Sequence, residues 1–147
     1  MGKSLLADIP GPMDGPITPN LSVASNGANA VYGDWVAPFN LQILSVWRTV
    51  DAAEATHGTA STSASYRQHR VLNGGPSGTA TTVMASLNQT ASVAARGSVA
   101  YTLATALSAQ TAKAGDIIVF DQLTVGAADN DGTVVQSGRN HVAYEML

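Results

Sequence analysis

Four prolines crowd one short stretch near the front of the chain, "DIPGPMDGPITPN" at residues 8–20: Pro10, Pro12, Pro16 and Pro19. Each removes a backbone N–H and fixes φ, and in a helix its ring clashes with the preceding turn. A central β-strand is excluded as well, because its ladder needs those donors. The stretch is not a polar leader either, since Leu5, Leu6, Ile9, Met13 and Ile17 stud it at intervals. A stiff, extended, apolar segment with no internal hydrogen bonds has to find partners on another surface. Residues 1–28 are therefore expected to form an extended N-terminal arm ending in the turn-rich joint "NLSVASNGAN". Its expected partner-binding residues are Leu5, Leu6, Ile9, Pro10, Pro12, Met13, Pro16, Ile17 and Pro19.

Residues 29–147 read differently, as short segments of period two separated by turn signals. The cleanest is "SVAYTLATAL" (98–107), with Val99, Tyr101, Leu103 and Leu107 on one parity and Ala and Thr on the other, the pattern of a half-buried strand. "NAVYGDWV" (29–36) is a first strand, and "APFNLQILSVWRTV" (37–50), apolar on both parities, is a central one covered on both faces. Further strands are expected at 64–72, with Tyr66 and Leu72 on one parity, and at 79–87, with Val83, Ala85 and Leu87 on one face. In 114–125, Ile117, Val119, Leu123 and Val125 share one face and Ile118 and Phe120 the other; the chain closes with "TVVQ" and "NHVAYEML". "NGGPSG" and "GAADNDG" mark turns between them. About eight short strands at near-regular spacing indicate an all-β sandwich or barrel. The expected fold is an antiparallel, jelly-roll-like β-sandwich at 29–147 carrying the Pro-rich arm at 1–28.

Composition narrows the function. At 147 residues, the length is that of one domain. There are no cysteines, which removes disulfides, zinc–thiolate sites and cysteine nucleophiles. A net charge of −3 with 12% charged residues lacks the basic stripe of a nucleic-acid binder. No run reaches the length of a membrane helix, and "MGKSLLADIPGPM" has no apolar stretch of signal-peptide length. A surface of Ala, Thr, Ser and Gly suits a chain covered by neighbours better than a lone monomer. A homo-oligomer is expected, with neither nucleic acid nor membrane as partner.

No motif carries chemistry. "GKS" at residues 2–4 lacks the upstream glycine and strand of a phosphate loop. "AADNDGTVVQSG" places Asp129, Asp131 and Gly132 as in a calcium loop but puts Ala127 and Gly138 at the two end positions, so it reads as a turn. "GGPSG" misses the nucleophile elbow. His57, His69 and His141 have no partner at ligand spacing and are expected to be surface histidines. The chain is expected to be non-enzymatic, with no catalytic residue, no metal ligand and no cofactor. Most aromatics lie on inward parity; Trp35, near a strand end, is the candidate interface anchor.

The order of pieces resembles a known family. An apolar, Pro-rich lead precedes a strand, a long apolar strand enters a Thr/Ser/Ala loop, and "GTATT", "TALSAQTAKAGDIIVF" and "GRNHVAYEML" follow. Over residues 29–147 this looks like the small β-sandwich decoration, or cement, proteins of tailed bacteriophage capsids. The resemblance implies a structural virion protein, made in the host bacterial cytoplasm and commonly a trimer. Such a protein binds the major capsid protein on the outer surface of the shell and stabilises it by bridging subunits. The arm would be the part that crosses to the capsid protein or a neighbouring subunit. Similar strand entries occur in fibre and adhesin sandwiches, so a carbohydrate-binding or fibre-type module is the alternative. A row of exposed aromatics would favour that alternative.

Overall fold

The computed structural model describes residues 18–23, 30–51, 53, 66–125 and 134–147. These residues form β-strands and, among them, no α-helix. The strands are β1 (Thr18–Val23), β2 (Ala30–Val36), β3 (Leu41–Val50), β4 (Tyr66–Asn73) and β5 (Thr82–Gln89). The short β6 (Ser98–Ala100), β7 (Thr102–Leu103) and β8 (Thr111–Ala112) follow, with a 3-10 turn at Leu107–Gln110; β9 (Ile117–Val125) and β10 (Val134–Met146) complete the chain. They make two five-stranded sheets. One runs β1-β10-β3-β6 with β8 also on β3, and the other β2-β9-β4-β5-β7. Every strand pair is antiparallel.

The two sheets share one core, a sandwich-like arrangement. Leu41, Ile43, Val46, Val142 and Tyr144 come from the first sheet and Val71, Met84, Ala85, Ile118 and Phe120 from the second. Period-two strands lend alternate residues to this layer. In β9 the inward face is Ile118 and Phe120, both fully buried. Three expectations need correction, and each has a local cause. In β5 the register slips between Leu72 opposite Val83 and Val71 opposite Ala85, so Met84 is an extra residue. Such a bulge turns the strand, so Met84 and Ala85 are both buried while Val83 is exposed. In β4 the inward set is Arg67, His69 and Val71, opposite Gln89, Leu87 and Ala85, rather than the parity of Tyr66. β3 is central but not covered on both faces, since Leu44 and Ser45 are exposed.

The "SVAYTLATAL" alternation is real but does not make one strand. The chain crosses between sheets at Tyr101: β6 pairs with β3, and β7 pairs with β5. Tyr101 donates its N–H to Val46 O at 2.9 Å and is buried in the crossing. Leu107, expected inside, is 66% exposed in the 3-10 turn. "TVVQ" and "NHVAYEML" are one strand, β10, which spans both sheet partners β1 and β3. Within the expected arm, residues 18–23 are β1 on the edge of the first sheet; the rest of residues 1–28 lies outside the described residues.

The β4–β5 turn is locked to the start of β9. Gly74 N–H donates to Ile117 O at 2.7 Å, Ile117 N–H to Gly75 O at 2.9 Å, and Gly75 N–H to Asn73 Oδ1 at 2.8 Å. A Cβ on Gly74 would sit 2.8 Å from Gly78 Cα and 2.9 Å from Ile117 O, both backbone atoms that cannot yield without breaking this lock. Gly74→Ala is expected to destabilise the fold by about 2 kcal/mol or more, read as a lower urea midpoint with an unchanged slope. An unaltered midpoint would mean that the turn is not held as described.

Candidate functional site

The outer face of the first sheet carries the most distinctive side-chain arrangement. In β3 the inward residues are Leu41, Ile43, Val46, Arg48 and Val50, and the bulge at Leu44–Ser45 leaves Trp47 and Thr49 facing out. Trp47 lies opposite His141 in the β3–β10 ladder. Cross-strand partners share a face, and here the rings stack, with centroids 5.2 Å apart and planes at 6°. Thr49 Oγ1 lies 3.0 Å from His141 Nε2 and fixes the imidazole in the stack. Small side chains surround the pair: Ser45, Ser98 and Ala100 are exposed and Ala143 half-buried. The result is a face of small side chains with one aromatic pair, on the sheet whose margin is β1. The parity of 37–50, apolar throughout, hid Trp47; only the bulge assigns it outward.

The expected interface anchor, Trp35, is half-buried. Its ring lies 5.4 Å from Tyr144 at 37°, and Phe39 lies 5.8 Å from the same tyrosine. Trp35 is thus one wall of an aromatic cluster at the margin of the core. Burial raises the Tyr144 phenol pKa above its ordinary value. Pro19 falls in β1, within the register shift between Thr18 and Leu21. A proline is tolerated there because an edge strand or bulge needs no donor on its outer side. Leu5, Leu6, Ile9, Pro10, Pro12, Met13, Pro16 and Ile17 lie outside the described residues.

Between the sheets, the half nearer the ends of β3 and β9 is polar. Arg48, Arg67, His69, Gln89, Gln122 and Asn140 are all buried, and Tyr101 donates its hydroxyl proton to Asn140 Oδ1 at 2.9 Å. His69, fully buried, sits 2.9 Å from Gln89 Oε1 through Nε2. This corrects the expectation of a surface histidine: His69 is on the inward parity of β4. Burial, and then the positive charges of Arg48 and Arg67, lower its pKa to about 3, against the opposing hydrogen bond to Gln89. His69 is therefore a neutral structural group and no proton carrier near neutral pH. Arg70, on the opposite face of β4, forks onto Asp121, with Nε to Oδ1 at 2.9 Å and Nη2 to Oδ2; this raises its pKa further.

At the other end of the sandwich a cleft of about 430 Å³ is lined by Asn40, Asn73, Thr82, Ser108, Thr111, Lys113 and Asp116, among others. Asn73 Nδ2 donates to Asp116 Oδ2 at 3.0 Å and to Thr111 O at 3.1 Å, while Lys113 N–H donates to Asp116 Oδ2 at 2.8 Å. These groups brace the turn before β9. Among the described residues, no cluster of three or more His, Asp or Glu is placed to hold a metal ion. Among them, too, no helix is long and apolar enough to cross a membrane. No protein family, curated protein or solved structure matches the chain.

The His69 environment sets a pH dependence. Its ordinary value of 6.5 applies to the unfolded chain and about 3 to the fold. Between those values the unfolded chain binds a proton that the fold does not, so stability falls as pH drops through this window. The loss attributable to His69 between pH 6.5 and 4 is on the order of 3 kcal/mol at about 1.4 kcal/mol per unit. In urea unfolding, the stability of wild type relative to His69→Gln should decline by that order as the pH is lowered. A difference that stays flat with pH would show that His69 is not held neutral.

Proposed function

We propose that this protein is a non-enzymatic component of a tailed-bacteriophage virion that binds the outer capsid surface and stabilises the shell by bridging subunits. It is made in the host cytoplasm and acts as a homo-oligomer, a trimer in the leading form, with the major capsid protein as its partner. The observation that carries the reading is the root of the arm. β1 is an edge strand at one margin of the first sheet, so the Pro-rich residues before Thr18 start where they can leave the body for a neighbouring surface.

The strand order supports a jelly roll. With the two-residue β7 and β8 set aside, the sheets run β1-β10-β3-β6 and β2-β9-β4-β5. Each of the first three connections therefore passes between the sheets, and the last strand returns beside the first. Double Greek-key sandwiches of this order are shared by viral capsid and lectin domains. A rigid body with a prestiffened arm fits a bridging role, because little entropy is lost on docking. Burying the five large apolar side chains of the arm at about 25 cal/mol per Å² supplies several kcal/mol per copy, multiplied by valency across a shell.

The alternative, a carbohydrate-binding or fibre-type module, draws on Trp47. A single stacked Trp–His pair gives one aromatic platform where a sugar-binding face would carry several in a row.

The test is co-sedimentation with empty shells assembled from the cognate major capsid protein. The full chain should pellet with shells and raise their melting temperature. Deleting residues 1–17, which leaves β1 in place, should weaken attachment at least tenfold while moving the protein's own melting temperature by no more than a few degrees. A full chain that stays in the supernatant overturns the reading. Binding to a glycan array that is lost with Trp47→Ala would establish the alternative.

A further inference from the structure

Asn73 ends β4, and Gly74 follows it into the β4–β5 turn. An Asn–Gly pair is the least hindered setting for one reaction of a chain on itself. The glycine backbone nitrogen attacks the amide carbon of the asparagine, and a residue without Cβ neither shields that nitrogen nor restricts its approach. We propose that Asn73 is a deamidation site, with water as co-reactant, that the folded turn holds closed and that opening of the turn exposes.

The step balances without an oxidant or a reductant. Gly74 N loses its proton and bonds to Asn73 Cγ, the Cγ–Nδ2 bond breaks, and the side-chain nitrogen leaves with that proton as ammonia. The product is a cyclic imide joining residues 73 and 74. Water then opens the ring at either carbonyl. One opening leaves aspartate at position 73, and the other leaves isoaspartate, with the backbone routed through the side chain. Asn73 lines the cleft of about 430 Å³ at this end of the sandwich, so water reaches the ring.

In the fold each group that the reaction needs is engaged. Gly74 N–H, the nucleophile, donates to Ile117 O at 2.7 Å. Asn73 Nδ2, the leaving group, donates to Asp116 Oδ2 at 3.0 Å and to Thr111 O at 3.1 Å. Asn73 Oδ1 accepts from Gly75 N–H at 2.8 Å, the usual bond of an asparagine side chain to the backbone two residues on. Swinging Cγ onto Gly74 N breaks these side-chain bonds, and freeing Gly74 N breaks the one to Ile117. The nitrogen cannot move to the side chain instead, because Gly74 is buried and crowded by the backbone of Gly78 and Ile117. Reaction therefore waits for the turn to detach from β9, a local opening of the structure.

The product cannot rebuild the turn. Aspartate at position 73 has no side-chain N–H for Thr111 O, and it places a second carboxylate where a donor stood 3.0 Å from Asp116 Oδ2. Like charges this close repel. Asp116 Oδ2 also accepts Lys113 N–H at 2.8 Å, so the disturbance passes to the turn before β9. Isoaspartate adds an atom to the backbone just where Gly74 must meet Ile117. An opening that would otherwise reverse is made permanent by the chemical change.

The test uses Asn26, which precedes Gly27 in the other Asn–Gly pair of the chain, as a clock for the unfolded state. The full chain is held in mildly alkaline buffer with and without unfolding urea, and peptide masses report the exchange of –NH2 for –OH. In urea both asparagines should convert at comparable rates. Without urea, Asn73 should convert at least about a hundredfold more slowly than with it, because the rate scales with the rarity of opening. Asp116→Ala removes the acceptor of Asn73 Nδ2 and should speed Asn73 conversion in the folded protein by about tenfold. Asn73→Asp, the product itself, should have a lower urea midpoint than wild type at neutral pH. That gap should narrow towards about pH 4, where protonation restores a donor between the two carboxyl groups. Equal Asn73 rates with and without urea, no conversion in urea, or a folded Asp116→Ala protein with an unchanged Asn73 rate overturns the proposal. So does an Asn73→Asp protein as stable as wild type at neutral pH. The urea comparison needs only the wild-type chain, so it decides even if Asp116→Ala fails to fold.

Discussion

The antiparallel ladder between β10 and β3, from Gly138 opposite Val50 to Met146 opposite Leu41, is the interaction on which the other parts of this molecule depend. It joins the last strand to the middle of the first sheet and so fixes which residues of both face inward. Val142 and Tyr144 meet Val46 and Ile43 in the core, while His141 meets Trp47 outside. It leaves β10 long enough to carry β1 over one half of its other edge and nothing described over the remainder. Because its contacts are distant in sequence, this ladder requires a large loop closure before it returns any stability, which is expected to make folding slow.

The interior the ladder encloses is divided. Where β3 and β9 begin, the layer between the sheets is apolar, with Leu41, Ile43, Ile118 and Phe120 fully buried. Towards their other ends, the same inward parity carries Arg48, Arg67, His69, Gln122 and Asn140. Buried polar groups are acceptable only when they are hydrogen-bonded. The His69–Gln89 and Tyr101–Asn140 bonds serve that end. Burial first, and then the positive charges of Arg48 and Arg67, lower the His69 pKa and hold the ring neutral.

These two organising features bear on function in different ways. The polar interior is closed to the outside and contributes to specificity of packing. The outer face of the first sheet carries the stacked Trp47–His141 pair, and β10 joins that face to β1. A protein that bridges subunits, as proposed, needs a rigid body, and two antiparallel sheets around one core supply it.

Alternation and turn chemistry in the sequence were enough to determine the β-class, because period-two patterning and Gly/Pro punctuation act locally. They also located most strands: 66–73, 117–125 and the "NGGPSG" turn fall close to their expected places. Pro19 is equally local in effect, since its ring excludes a helix and it stands in β1. Which parity faces the core was not legible where a bulge intervened. Met84 and Leu44–Ser45 each reverse the register, and a one-residue slip exchanges the two faces of a strand. The inward turn of Arg67 and His69 could not be read either, because a polar parity signals solvent unless a second sheet covers it. The break at Tyr101, which sends one alternating segment into two sheets, and the pairing of Trp47 with His141 from opposite ends of the domain sequence are decisions of tertiary packing. They depend on which strands become neighbours, and neighbours in a sandwich are chosen by long-range burial rather than by any residue's local preference.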